Sequence, residues 1–189
     1  MNNLNDKTAL LVMDLQKGIV SRYAEEEAVL LPFQKAIEAA RQHDIPVIFV
    51  RVAFSKGYPE INPKNKMFSA ISKSGGMTIT ESATQIHESV KPEPSELVVT
   101  KYRVSAFAGS NLEVILRSWQ IDKLIISGIS TSGVVLSTLR EAADKDYDLT
   151  VLSDACLDAD PEVHRVLTEK VFPRQANVLT VENWISGLE

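Results

Sequence analysis

The chain has one cysteine, three histidines and 6% aromatic residues in 189 positions, and each shortage removes a class of protein. A lone Cys156 cannot close an internal disulfide, which argues for a reducing, cytoplasmic setting over a secreted scaffold. No run reaches the ~18 consecutive apolar residues of a membrane span. The first residues, Met1–Lys7, are polar and lack the apolar centre of a secretory leader. Positive charge is also in deficit: the net charge of −5 argues against a nucleic-acid partner, which favours a basic face. No G-x-G-x-x-G follows the first apolar run, so a generic dinucleotide-binding domain is a weak reading. Repeats, low-complexity tracts and linkers are missing too. With 44% hydrophobic residues the chain can bury one substantial core, and residues 1–189 read as a single domain.

What is present alternates between two periods. Short apolar or β-branched runs at Thr8–Met13, Val47–Phe54, Glu96–Thr100, Leu124–Ile126, Asp148–Ser153 and Asn177–Thr180 read as strands. Between them, helical spacing marks Phe33, Ile37 and Ala40, then Leu112, Ile115, Leu116 and Trp119, then Leu136, Leu139, Ala142 and Ala143. Pro161 after Asp160 suits the first turn of another helix, and a last one is expected around Trp184. The acidic cluster Glu25–Glu27 suits a helix start, and Glu81–Val90 reads as a short helix stopped by Pro92. Ser55–Thr80 has no period and carries prolines and glycines, the character of a functional loop or lid. Its apolar residues Met67–Ile71, Met77 and Ile79 suggest a surface shared with a second copy. The pattern predicts a three-layer α/β fold with a central, mainly parallel sheet of about six strands.

The stretch Lys123–Leu139, KLIISGISTSGVVLSTL, joins a strand to a helix through a small polar turn. In open parallel sheets ligands bind outside the carboxyl ends of strands. Turn N–H groups and a helix dipole at such a place suit an anionic or polarised oxygen. Other strands also end in polar residues with no packing reason to be there: Asp14, Lys101 and Asp154. A single strand-end aspartate is as often a cap or turn former, and a single lysine is more often solvated. Asp14 and Lys101 become informative if they share one mouth with the Gly128 turn, because a buried Asp–Lys pair can tune proton transfer.

Asp14 within ALLVMDLQ, Lys101 within TKYRVSAFAGSNLEVIL, and GISTSGVVLST follow one another in the order and spacing of three motifs. On these the chain resembles the isochorismatase-like hydrolases, also called the cysteine hydrolase superfamily. That group includes isochorismatases, nicotinamidases and N-carbamoylsarcosine amidases. The resemblance runs from Thr8 to about Val181 and takes in Tyr147, DLTVLSDAC and PEVHRVL. It implies a Rossmann-like fold, a homodimer or homotetramer, and a cis peptide at Ile129–Ser130. By the same resemblance Asp14 would be the general acid, and Lys101 would hold a substrate carboxylate or steady developing charge. The backbone N–H groups of Ser130 and Val134 would form an oxyanion nest, and Gln16, Phe107 and Thr131 would line the substrate pocket.

One position departs from the resemblance. The cysteine members resemble G-x-x-T-x-x-C-V-x-x-T; here Gly128, Thr131, Val135 and Thr138 match, and the cysteine position is Val134. Valine has no nucleophilic atom, so thiol catalysis at this position is excluded. Cys156 lies on another strand and reads as a buried structural thiol. His43, His87 and His164 read as surface or packing residues, and Arg51–Lys66 holds neither histidine nor aspartate for a nicotinamidase-type metal site. No metal and no cofactor are therefore expected. The expected function is hydrolysis of a C–N bond, or of a vinyl-ether or ester C–O bond, in a small polar metabolite without a cysteine nucleophile. The alternative is a non-catalytic small-molecule binder of the same superfamily.

Overall fold

The computed structural model describes residues 7–23 and 27–188; the remaining positions, with the expectations for Met1–Asp6 and for Glu25 and Glu26, lie outside the described residues. Six parallel strands form one sheet: β1 (Lys7–Met13), β2 (Val47–Val52), β3 (Leu97–Lys101), β4 (Ile121–Ile129), β5 (Asp148–Leu157) and β6 (Asn177–Leu179), in the order β3-β2-β1-β4-β5-β6. The predicted α/β class and strand number are therefore observed.

Alternation along each strand divides its apolar residues between two layers. In β1, Ala9, Leu11 and Met13 join one core with Leu112 and Leu116 of α4 (Leu112–Ser118) and Leu139 and Ala142 of α5 (Leu136–Asp144). Leu10 and Val12 face the opposite core, with Phe33, Ile37 and Ala40 of α2 (Leu31–Gln42) and Trp184 of α7 (Val181–Ser186). A strand buried on both faces reads as a continuous apolar run, which is why TALLVM shows no alternation of polarity.

Three local expectations change and one holds. Glu81–Val90 is not an α-helix but two 3-10 turns, Ser82–Thr84 and Glu88–Val90. Thr84 Oγ1 donates to the carbonyls of Thr78 and Glu81, and the Gln85 amide donates to those of Ile79 and Glu81. Such side-chain bonds compete with a helical ladder. The segment Ser55–Thr80 is not wholly irregular, since α3 (Lys66–Ser74) starts where the Asn65 side chain accepts from Phe68 N–H at 3.0 Å. α3 stands over the carboxyl end of the sheet, where Phe68 meets Val52, Phe54 and Ile61 in a third apolar cluster. Met67 and Ile79 stay exposed, at 58% and 45%. β5 continues past Ser153 to Leu157, so Asp154 lies inside a strand instead of at its end. Finally, α6 (Pro161–Val166) is capped as expected, the Asp160 carboxylate accepting from Glu162 N–H and Val163 N–H.

Candidate active site

β1 connects outward to β2 on one side while its other neighbour is β4, so strand order reverses between β1 and β4. The crevice at such a switch point opens at the carboxyl ends of the strands. Asp14 stands there, one residue beyond β1, with φ +60° and its N–H still donating to Val50 O at 2.8 Å. Its left-handed backbone turns the side chain over the strand ends. There Oδ2 meets Lys101 Nζ at 2.9 Å, both side chains being buried. Lys101 ends β3, two strands away, and its stem crosses the end of β2 to reach this point.

An ammonium has three protons to donate. Those of Lys101 go to Asp14 Oδ2, to Arg103 O at 3.0 Å and to Val104 O at 3.0 Å. The lysine is therefore locked in place, and it fixes the orientation of the Asp14 carboxyl. Asp14 Oδ1, also buried, has no hydrogen-bond partner among the described residues. Burial raises the Asp14 pKa above the ordinary carboxylate value, against the smaller opposing pull of the Lys101 charge and hydrogen bond. A carboxyl with one fixed oxygen, one unpartnered oxygen and a raised pKa is equipped to move a proton.

The third wall is the turn after β4. Gly128 passes so close to β1 that a Cβ there would lie 2.6 Å from Met13 O, which only glycine permits. The Ile129–Ser130 peptide is cis, and Gly133 (φ −98°, ψ −105°) leaves helical geometry. A Cβ on Gly133 would come within 2.7 Å of Ser130 Oγ, so this glycine makes room for the serine side chain. Asp14, Lys101, Ser130 and Val134 all border one cleft of about 620 Å³, roofed in part by Met67 and Phe68 of α3. Val134 is 2% exposed and puts a branched apolar group at the cleft floor.

The three residues expected to line the pocket face elsewhere. Gln16 is fully buried as a clamp: its amide donates to Val52 O and Thr84 O and accepts from Val52 N–H, at 2.9, 3.0 and 2.8 Å. Thr131 is buried beneath the turn, its Oγ1 2.8 Å from His164 Nδ1. Phe107 belongs to the core below α5, stacked on Tyr147 with centroids 6.1 Å apart and the Lys145 ammonium 5.5 Å from its ring. Asp154 is exposed, and its Oδ1 accepts from Val181 N–H at 2.8 Å, so it serves the start of α7. Cys156 is buried, and desolvation pushes its thiol up to about 12. Two arginines that sequence reading did not select, Arg22 and Arg103, border the cleft. The only sequence signal for Arg103 is its place two residues after Lys101. Arg22 carries no such signal.

With this geometry in view, a family model described as the isochorismatase domain matches residues 8–183. The chain is 32% identical to the uncharacterized isochorismatase family protein YecD of Escherichia coli O157:H7, over the full length of both. It is 29% identical to the ureidoacrylate amidohydrolase RutB of Pseudomonas savastanoi pv. phaseolicola (strain 1448A / Race 6), over 97% of this chain and 81% of that one. A solved cysteine hydrolase from Pseudomonas syringae pv. phaseolicola 1448A superposes with a TM-score of 0.87 at 20% identity, covering 96% of this chain and 92% of the other, which shows a shared fold.

Proposed function

The chain belongs to the isochorismatase family, and on that premise we propose that it hydrolyses a C–N bond, or a vinyl-ether or ester C–O bond, of a small polar metabolite without a covalent thiol intermediate. The observation that carries this reading is the Asp14 carboxyl, which borders the cleft, tied through Oδ2 to Lys101 and without a hydrogen-bond partner at the buried Oδ1 among the described residues. For an amide, Asp14 takes a proton from water as the water oxygen attacks the carbonyl carbon. The carbonyl oxygen gains negative charge, which the N–H groups of Ser130 and Val134 stabilise. Asp14 then returns its proton to the departing nitrogen as the C–N bond breaks, and the carbonyl re-forms as an acid. For a vinyl ether, protonated Asp14 delivers the proton first and water completes the cleavage. A carboxyl pKa raised by burial suits both directions of transfer.

Val134 favours a second reading, a binder that keeps the pocket without the reaction, because a branched side chain borders the cleft at the position that, by the motif resemblance, corresponds to the cysteine. A screen of small amides, carbamoyl compounds and vinyl ethers separates the two, with Asp14→Ala as control. Turnover that falls by about 10²–10⁴-fold in the variant is expected. Turnover indifferent to Asp14→Ala would sink the proton-transfer role. Binding of a metabolite with no turnover by the wild-type protein would put the binder ahead.

A further inference from the structure

The protein is acidic, with a net charge of −5, but its cleft is not. Among the described residues that border it, the charged ones are Asp14, Arg22, Lys101 and Arg103, three cations against one carboxylate. Asp14 and Lys101 answer each other at 2.9 Å, which leaves the two arginines. Arg103 is held firmly: Nη1 donates to Tyr102 O at 2.6 Å, Nη2 donates to Glu60 O at 2.9 Å, and the guanidinium carbon lies 5.5 Å from the centre of the Phe68 ring. Both hydrogen-bond partners are neutral carbonyls; the Glu60 carboxylate also feels the Arg103 charge, but as the weakest of the influences on it, so the guanidinium is fixed with most of its charge uncancelled. Two of its five N–H groups are spent on them. Arg22, in the last turn of α1 (Lys17–Tyr23), is exposed at the cleft mouth. Around these charges the walls are apolar, with Met67, Phe68, Ile71 and Met77.

We infer that the cleft selects a small carboxylate with an apolar body, its charged end held by Arg103 and drawn in past Arg22. A guanidinium fork matches a carboxylate in two parallel hydrogen bonds, and such charge-assisted pairs are the strong ones. Arg103 is prepositioned, so little side-chain freedom is lost on binding. Arg22, in solvent, contributes mainly by steering, and its effect is screened by salt. The inference rests on the reading of this cleft as the working site, but it does not require turnover. It deepens that reading by assigning the anion to two arginines, while Lys101 is occupied with Asp14 and two carbonyls.

Isothermal titration of the full chain with two isosteric pairs tests it: hexanoate against hexanamide, and succinamate against succinamide. The carboxylate of at least one pair is expected to bind about tenfold or more tightly than its amide. Arg103→Gln should bring that ratio close to one. Because Arg103 also ties two backbone segments, its fold is checked by a thermal melt. Arg22→Gln at an exposed position keeps the test alive if Arg103→Gln fails to fold, and it should lower the ratio about two- to threefold, more at low salt than at high. Equal binding within both pairs, no binding of any of the four at millimolar concentration, or a ratio that survives Arg22→Gln/Arg103→Gln would overturn the inference. Carboxylate preference without hydrolysis keeps the anion site and removes the hydrolase reading. Hydrolysis confined to neutral amides does the reverse.

Discussion

Asp14 and Asp154 look alike in the sequence, Asp14 directly after the apolar stretch of one parallel strand and Asp154 one serine beyond that of another, yet they end in opposite circumstances. Asp14 is buried, has a cation on one oxygen and, among the described residues, no hydrogen-bond partner on the other. Asp154 is exposed and spends Oδ1 on Val181 N–H. Their topological positions make the difference. β1 lies where strand order reverses, so the chain leaves a crevice above its end. β5 runs on beyond Asp154 to Leu157, and the N-terminus of α7 arrives beside that aspartate. A carboxylate whose acceptor is consumed by backbone is finished as a structural group. One that is buried beside a cation with a lone pair to spare carries a desolvation cost that its pairing offsets only in part.

The most severe way to break this comparison is to leave Asp14 without its cation. Lys101→Met removes the charge and the Oδ2 hydrogen bond from a carboxyl whose side chain is only 8% exposed. The expected loss is about 3–5 kcal/mol, as for other buried pairs stripped of one partner. Its pH dependence has a definite sign. The folded-state pKa of Asp14 lies above its unfolded value, so the native state binds the proton more tightly. Its contribution to stability is complete below the unfolded pKa and is lost as pH rises through the folded one. Without Lys101 the folded pKa climbs further, so Lys101→Met should cost more at about pH 7 than at about pH 4. Asp14→Asn in the same chain should recover much of the loss. Urea unfolding at the two pH values measures this, and equal losses at both would mean that the two groups are not coupled.

That contrast also marks how far the sequence could be read. The strand pattern gave the α/β class because buried parallel strands and amphipathic helices have unmistakable periods, and the rule about carboxyl ends picked out Asp14, Lys101 and the turn at Ser130–Val134. Gln16, Phe107 and Thr131 do not border this cleft, for a different reason. Proximity in sequence says nothing about which way a side chain points once the backbone leaves a regular element. Asp14 at φ +60° turns the chain so that the Gln16 amide meets Val52 and Thr84. Arg103 was overlooked for the same cause, lying in the irregular stretch after β3 where no period assigns a face. α3 had a readable cap in Asn65 and an i, i+3 pair in Phe68 and Ile71, but flanking prolines and glycines outweighed them.

A second pair of positions sharpens the comparison through reactivity. Cys156 is a thiol that the fold has silenced, raised to about 12 chiefly by burial. Val134 borders the cleft with Lys101 and the turn after β4. In Val134→Cys the new thiol should titrate below the reference of about 8.5, because a nearby ammonium and helix-start N–H groups favour the thiolate. Iodoacetamide should then alkylate it well before Cys156. Asp14→Asn in that background should slow any amide hydrolysis gained, by removing the proton acceptor. A thiol at 134 as inert as Cys156 would show that the cleft is not organised for attack.

The smallest expected effect comes from the other aspartate. Asp154→Ala removes the acceptor for Val181 N–H, one of the unpaired donors at the start of α7. Because Asp154 is exposed, water can take over that donor, and Thr180 still holds Asn183 N–H at 3.2 Å. The loss should therefore be about 1 kcal/mol or less, and Asp154→Asn, whose side-chain oxygen accepts the same bond, should lose still less. Neither substitution should alter any turnover that depends on Asp14, nor the preference for carboxylates over amides, since Asp154 does not border the cleft. The outcome that counts is the split between readouts: a small drop in the urea midpoint with unchanged catalysis and binding. A drop of several kcal/mol, or a change in turnover without one, would mean that the two strand-borne carboxylates are not separated in the way their burial and partners indicate.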